Sequence, residues 1–205
     1  MFLNTVKGTQ GYEQGVDAFA KASLNLKFEE VNQEFIPFLP RILSRVLDVG
    51  SGVGQNSAAL SRLGYQVVSV EPLQAFLDIA KNTHQNLRIQ WVHDSLPNLD
   101  KVKAGSEGFD FILLDGVWHH LNPSERRTCL QSFFDLLNHN GVCAISLRNG
   151  PAGLGKHIFP AGTEELFQYA QELGFQTLLH LENLPSKMKN KPDVIWSKVV
   201  LQKSK

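Results

Sequence analysis

From residue 45 onward, short runs of aliphatic and β-branched residues alternate with longer segments of helical period. Five apolar runs stand out at 46–49, 66–70, 87–92, 109–114 and 142–147, too uniformly apolar for one face to meet water. Parallel strands covered on both faces by helices read this way. The helices are predicted over 55–63, 73–82 and 123–137, where apolar positions recur every three or four residues. Asn122 and Pro123 suit the N-cap and first turn of the third, and Gly64 and Gly141 stand where helices should end. A Gly/Pro-rich loop over 149–162 leads to a further helix over 163–173, capped by Thr163 and closed by Gly174. Two last strand-like runs, 175–182 and 194–201, have only a polar loop between them, which predicts an antiparallel pair at one edge of the sheet. Ahead of the sheet, 10–36 predicts one or two helices. Tyr12, Val16, Phe19 and Ala20 form one apolar stripe there, and Phe28, Val31, Phe35 and Ile36 another.

The pattern is that of an α/β, doubly wound, Rossmann-like fold with a mostly parallel sheet and additional N-terminal helices. Two parts are expected: an N-terminal helical segment over 1–40 that covers the site, and the ligand-binding domain over 41–205. Twenty basic residues offset twenty acidic ones, so no net field draws the chain to nucleic acid or an anionic membrane. No apolar stretch approaches the roughly 20 residues of a membrane span, and the first fifteen residues lack the apolar run of a signal peptide. Cys129 and Cys143 have no metal-type spacing and read as reduced thiols, which together points to the cytoplasm.

Chemistry concentrates at the strand ends. Residues 46–56 (VLDVGSGVGQN) run from a strand through a glycine-rich turn into a helix, with Gly50, Gly52 and Gly54 giving free N–H groups at the helix start. A dinucleotide fingerprint needs its third glycine where Gln55 stands, which argues against a pyrophosphate cofactor. By itself such a turn is also compatible with plain strand-to-helix packing. Glu71 ends the second strand, 21 residues after Gly50, where a carboxylate can accept from both hydroxyls of a ribose. Asp94 and Ser95 follow the third strand and could meet an adenine edge, although an acid there also suits a helix cap.

These elements resemble the class I S-adenosylmethionine-dependent methyltransferases over roughly residues 45–202, in VLDVGSGVG, VVSVEP, WVHDSLP, FDFILLDGVWHHL and LNHNGVCAISLRNGP. Within that class the chain is similar to a bacterial group of small uncharacterised methyltransferases, through Tyr12, residues 23–29 and the strand end at 146–151 (SLRNGP). The resemblance implies a seven-stranded sheet whose last strand is antiparallel, S-adenosylmethionine as cofactor and S-adenosylhomocysteine as product. It implies that Asp48, Gly50, Ser51, Gly52, Gln55 and Asn56 hold the methionine end of the cofactor. Glu71 takes the ribose, Pro72, Asp94, Ser95 and Leu96 the adenine, and Asp115 and Gly116 the sulfonium end. Gln55 departs from the arginine that this group often carries after its glycine turn.

For the acceptor, an unidentified small molecule is expected. His119 is the candidate base, with Arg148 a clamp for a carboxylate or phosphate, and Tyr12, Trp118 and His120 lining the pocket. Adjacent side chains diverge, so at most one histidine is expected to face the cleft, and Arg148 could instead pair with Asp115. No metal is expected, because Arg148 occupies the rim where a cation would sit. A protein or RNA target, or a regulator that binds the cofactor without turnover, are the competing readings.

Overall fold

The apolar runs pair into one seven-stranded sheet in the computed structural model of the chain, which describes residues 6–105, 107–188 and 191–204. The strands are β1 (Arg45–Val49), β2 (Gln66–Val70), β3 (Ile89–Val92), β4 (Phe109–Leu114), β5 (Leu137–Asn149), β6 (Phe175–Pro185) and β7 (Ile195–Lys203). Their order is β3-β2-β1-β4-β5-β7-β6, parallel from β3 to β5, with β7 antiparallel to both of its neighbours. The helix-free connection after β6 therefore makes the predicted edge pair, with β7 inserted between β5 and β6. Chain direction reverses its walk between β1 and β4, the switch point at which an open sheet leaves a crevice beyond its strand ends.

The helices are α1 (Val16–Leu24), α2 (Phe28–Val31), α3 (Gln55–Arg62), α4 (Gln74–Thr83), α5 (Asp100–Lys103), α6 (Pro123–Leu136) and α7 (Thr163–Leu173). Both faces of the sheet are dry along its central strands, while β6 at one edge is largely exposed. Along β4, Ile112 and Leu114 join the core with Trp118, Leu130, Phe133 and Leu166, while Phe111 and Leu113 pack with Phe28, Phe35 and Leu60. Residues 28–38 thus serve as a covering layer for the second face. The expected stripe there is broken at Ile36, which lies 40% exposed on a 3-10 turn over Gln33–Phe38. Residues 1–5 of the expected N-terminal segment lie outside the described residues.

Local signals are mostly met, with two corrections. Asn122 caps α6 in a reciprocal box, its side chain accepting from the Glu125 amide at 3.0 Å while the Glu125 carboxylate accepts from the Asn122 backbone N–H at 2.8 Å. Gly174 ends α7 with φ +83°. Gly141, however, is no helix cap: α6 stops at Leu136 and Gly141 already lies inside β5, which is longer than its apolar run. Thr163 is the first helical residue of α7, and its hydroxyl donates to Glu182 on β6, so it ties helix to strand instead of capping. Among the described residues, no helix is long and apolar enough to cross a membrane.

Candidate functional site

A cavity of about 880 Å³ opens beyond the carboxyl ends of β1, β2 and β4, where the sheet reverses. Its first wall is the turn between β1 and α3. The amides of Gly50 and Ser51 donate to the Val70 carbonyl at 2.8 and 2.9 Å, which folds the turn back over β2. Gly50 has φ +68°, and a Cβ there would lie 2.6 Å from Val117; a Cβ on Gly54 would lie 2.5 Å from Trp91. Those two glycines make room for the protein's own side chains. At Gly52 the nearest group is the Phe19 ring across the cavity.

Glu71 is almost fully buried and holds the turn in place: one carboxylate oxygen accepts from the Gly52 amide at 2.9 Å and the other from Leu73 at 2.8 Å. Each oxygen keeps a lone pair for a further donor. Burial pushes its carboxyl up to about 8, against the pull of the two amides. Gln55 Oε1 is buried without a hydrogen-bond partner beside the same turn, and Pro72, Ser95 and Leu96 continue the wall. Orphaned acceptor, free carboxylate lone pairs and adjoining apolar surface fit a nucleoside with a polar tail, the shape and chemistry of S-adenosylmethionine.

Two of the expected cofactor residues do not reach the cavity. Asp48 is buried behind the turn, accepting from Ser57 Oγ at 2.6 Å in a chain that continues through Ser69 to Ser51; burial raises its carboxyl to about 7. Its strand position directs it toward α3, away from the ligand side. Asp94 spends its carboxylate on the amides of Ser95, Lys101 and Val102, which makes it the cap of α5. Asp115, Gly116, Ser51 and Asn56 do line the cavity. Asp115 is held by Ser146 at 2.6 Å and by Asn32 and Asn56 at 3.2 Å each, with Lys198 3.9 Å away. Arg148 therefore does not pair with Asp115; Lys198 stands in that place.

The second wall comes from the segment after β4, the N-terminal segment and the loop after β5. Residues Trp118–His120 form one 3-10 turn. That turn sends Trp118 into the core, fully buried under the Arg126 guanidinium, so it is not an acceptor contact. Both histidines face the cavity, with ring centroids 4.0 Å apart, contrary to the expectation of one. His120 is held on both sides: Nδ1 lies 2.8 Å from the His157 carbonyl and Nε2 3.0 Å from the Tyr12 hydroxyl. Since a carbonyl only accepts, Nδ1 carries the proton, and Nε2 accepts from Tyr12. His119 keeps Nδ1 buried without a partner. Burial, then the neighbouring His120, Arg148 and other cations, drive its imidazole down to about 2, and burial lowers His120 as well.

Arg148 ends β5 and lines the cavity, one nitrogen donating to the Pro151 carbonyl at 2.7 Å. Tyr12 and Phe19 close the mouth from the N-terminal segment. Tyr12 packs edge-on against Phe19 and Phe76, and burial raises its hydroxyl to about 12. The loop after β5 closes over them: Lys156 N donates to the Gln10 carbonyl, and a Cβ on Gly155 would come 2.6 Å from His120. Lys191, Trp196 and Lys198 also line the cavity and escaped the sequence reading. Only Lys198 left a trace, as a lysine inside an otherwise apolar strand, where burial demands a partner. Among the described residues, no group of three or more His, Cys, Asp or Glu side chains could hold a metal ion.

Comparison with known proteins agrees with this geometry. Residues 46–141 match the family described as Methyltransferase domain. The chain is 28% identical over 172 residues to an uncharacterized methyltransferase of Staphylococcus carnosus, covering 80% of each chain. It is 30% identical over 135 residues to mouse glycine N-methyltransferase, covering 56% of this chain but 46% of that enzyme, so it spans less than half the length of that relative. In fold it is similar to the 1,6-didemethyltoxoflavin-N1-methyltransferase of Burkholderia thailandensis, solved with S-adenosylhomocysteine. The TM-score is 0.70 at 18% identity, over 95% of this chain and 84% of that one.

Proposed function

We propose that this chain is a class I S-adenosylmethionine-dependent methyltransferase that methylates a small molecule, held in the same cavity as the cofactor and opposite the glycine turn. The observation that carries this reading is continuity: Glu71 and the turn at one end, and Tyr12, His119, His120 and Arg148 at the other, line one space of about 880 Å³. That volume suits a nucleoside cofactor with a small partner. The mouse relative acts on glycine and the Burkholderia enzyme on didemethyltoxoflavin, both small molecules.

Bound S-adenosylmethionine supplies a methyl group already activated by a sulfonium charge. The amides of the glycine turn, expected to be free, are committed to Val70, Glu71 and Ser51, so the carbonyls of Gly50 and Gly52 with Gln55 and Asn56 would hold its methionine end, Glu71 its ribose, and Pro72, Ser95 and Leu96 its adenine. Asp115 and Gly116 would border the sulfonium. The chain's remaining task is to align the acceptor and remove its proton. His119 is poorly suited to take that proton, since burial first, and then His120, Arg148 and the other cations around it, disfavour its protonated form. His120 is better placed. Tyr12 gives its hydroxyl hydrogen to His120 Nε2 as its oxygen takes the acceptor's proton, so the proton ends on imidazole and the methylated product leaves uncharged at the new bond.

Calorimetric titration with S-adenosylmethionine and S-adenosylhomocysteine, with NAD as control, tests the cofactor seat. Micromolar binding of the first two but not of NAD is expected. Release of S-adenosylhomocysteine against a panel of small amines and phenols then tests turnover. Binding with no turnover across the panel would favour a regulator over an enzyme.

A further inference from the structure

Around Arg148 the cavity has positive charge and no negative charge to match it. Arg148 is 9% exposed, and its single hydrogen bond to the Pro151 carbonyl leaves the other two guanidinium nitrogens without a partner among the described residues. Lys191 lines the same space, and burial first and then the Arg148 charge disfavour its ammonium. Among the described residues neither forms an ion pair within 4.0 Å. Asp193 borders a small outer cavity with both, again without pairing.

Of the four acids that line the main cavity, Glu34 takes the Gln33 amide on one oxygen, keeps the other buried without a partner among the described residues, and pairs with neither Arg148 nor Lys191; the other three are committed elsewhere. Glu71 accepts from backbone amides, Asp115 from Ser146, Asn32 and Asn56, and Glu125 from the α6 cap. A buried guanidinium and a half-buried ammonium facing one space without a counter-ion are costly, and an anionic ligand relieves that cost. A guanidinium with two free nitrogens presents the fork that matches a carboxylate.

Resting on the methyltransferase reading of this cavity, the geometry points to an acceptor that carries a carboxylate, clamped by Arg148 and Lys191, with its methylated nitrogen or oxygen toward the Tyr12 hydroxyl. The transfer balances without another reactant: the acceptor's N–H or O–H bond gives way to an N–CH₃ or O–CH₃ bond, and the proton passes through Tyr12 to His120. The carboxylate also offsets the Arg148 charge that His120 feels, which favours the imidazolium formed in that step.

Matched pairs of probes test the class: glycine against glycinamide, 4-hydroxybenzoate against 4-hydroxybenzamide, and O-phosphoethanolamine against ethanolamine. Binding to the protein saturated with S-adenosylhomocysteine is read by calorimetry, and turnover with S-adenosylmethionine by product release. At least one carboxylate is expected to exceed its amide by about tenfold in affinity or turnover, the worth of one charge-assisted contact. Arg148→Gln and Lys191→Gln should each reduce that ratio to about threefold or less while S-adenosylhomocysteine affinity stays within about twofold. Arg148→Lys, which keeps charge without the fork, should fall between. Equal response to both members of every pair, no response to any, or a phosphate preferred over every carboxylate overturns the inference while cofactor binding survives. Failure to bind S-adenosylhomocysteine overturns the methyltransferase reading itself.

Discussion

The two walls of the cavity are built on different principles. The glycine-turn wall comes from consecutive strand ends and holds its shape largely through backbone: Val70 fastens the turn and Glu71 bonds two amides. The facing wall is assembled from side chains on three separate segments, among them Tyr12, His120 and Arg148, whose mutual contacts span 108 residues in the case of Tyr12 and His120. A wall of backbone tolerates change poorly but needs few defining residues; a wall of side chains can be altered one residue at a time. The expectation is that substitutions on one wall leave the function of the other standing.

Glu71→Ala gives the sharpest break. Removing a carboxylate that offers charged acceptors to a ribose should weaken S-adenosylhomocysteine binding about 100-fold by calorimetry; a loss under about threefold would remove the ribose assignment. Next in size, Tyr12→Phe keeps the ring packing but takes the hydroxyl from between acceptor and His120. Turnover should fall about tenfold to thirtyfold with cofactor affinity nearly unchanged. Equal loss of both would mean that Tyr12 only covers the cofactor.

Acidity offers a third test on the first wall. Ribose hydroxyls that donate to Glu71 favour its charged form, so binding must lower a carboxyl that burial has raised to about 8. Affinity should be flat above about pH 8 and weaken as pH falls below it, by up to about tenfold per unit, with proton release on binding. Glu71→Gln should abolish the slope. The smallest effect is expected at Asp94→Ala, where loss of the α5 cap should cost about 1 kcal/mol in denaturant unfolding and leave cofactor affinity unchanged. A large loss of affinity there would restore Asp94 to the adenine seat.

Legibility in the sequence followed the same division. Alternating apolar runs sufficed for the five parallel strands, because strands dry on both faces have few other readings, and the helix-free polar loop before the last strand sufficed for its antiparallel pairing. The turn and Glu71 stood out because their signals lie next to strand ends, at fixed distance along the chain. Asp48 and Asp94 carried the right residue type at the right strand ends, yet their carboxylates turn to Ser57 and to the start of α5. Residue type records chemistry but not direction. Trp118 failed for a like reason, since only the 3-10 turn decides which of three neighbouring rings enters the core. The ties of Asn32 and Ser146 to Asp115 left no trace, because that partner is 83 and 31 residues away and nothing periodic links them.

Lys198 on β7 donates to the Val31 carbonyl at 3.1 Å and to Asn32 at 3.2 Å, and its ammonium lies 4.6 Å from the centre of the Phe35 ring. That fastening joins residues 166 apart in the chain. During synthesis at about 5–20 residues per second, the N-terminal segment waits roughly ten to thirty seconds for its anchor to be made. β7 also has to enter between β5 and β6, so the strand that completes the sheet is the one that pins Asn32 beside Asp115. On the ribosome, the wall around the glycine turn has all its strands early, while the N-terminal cover is locked in place only once β7 has been made.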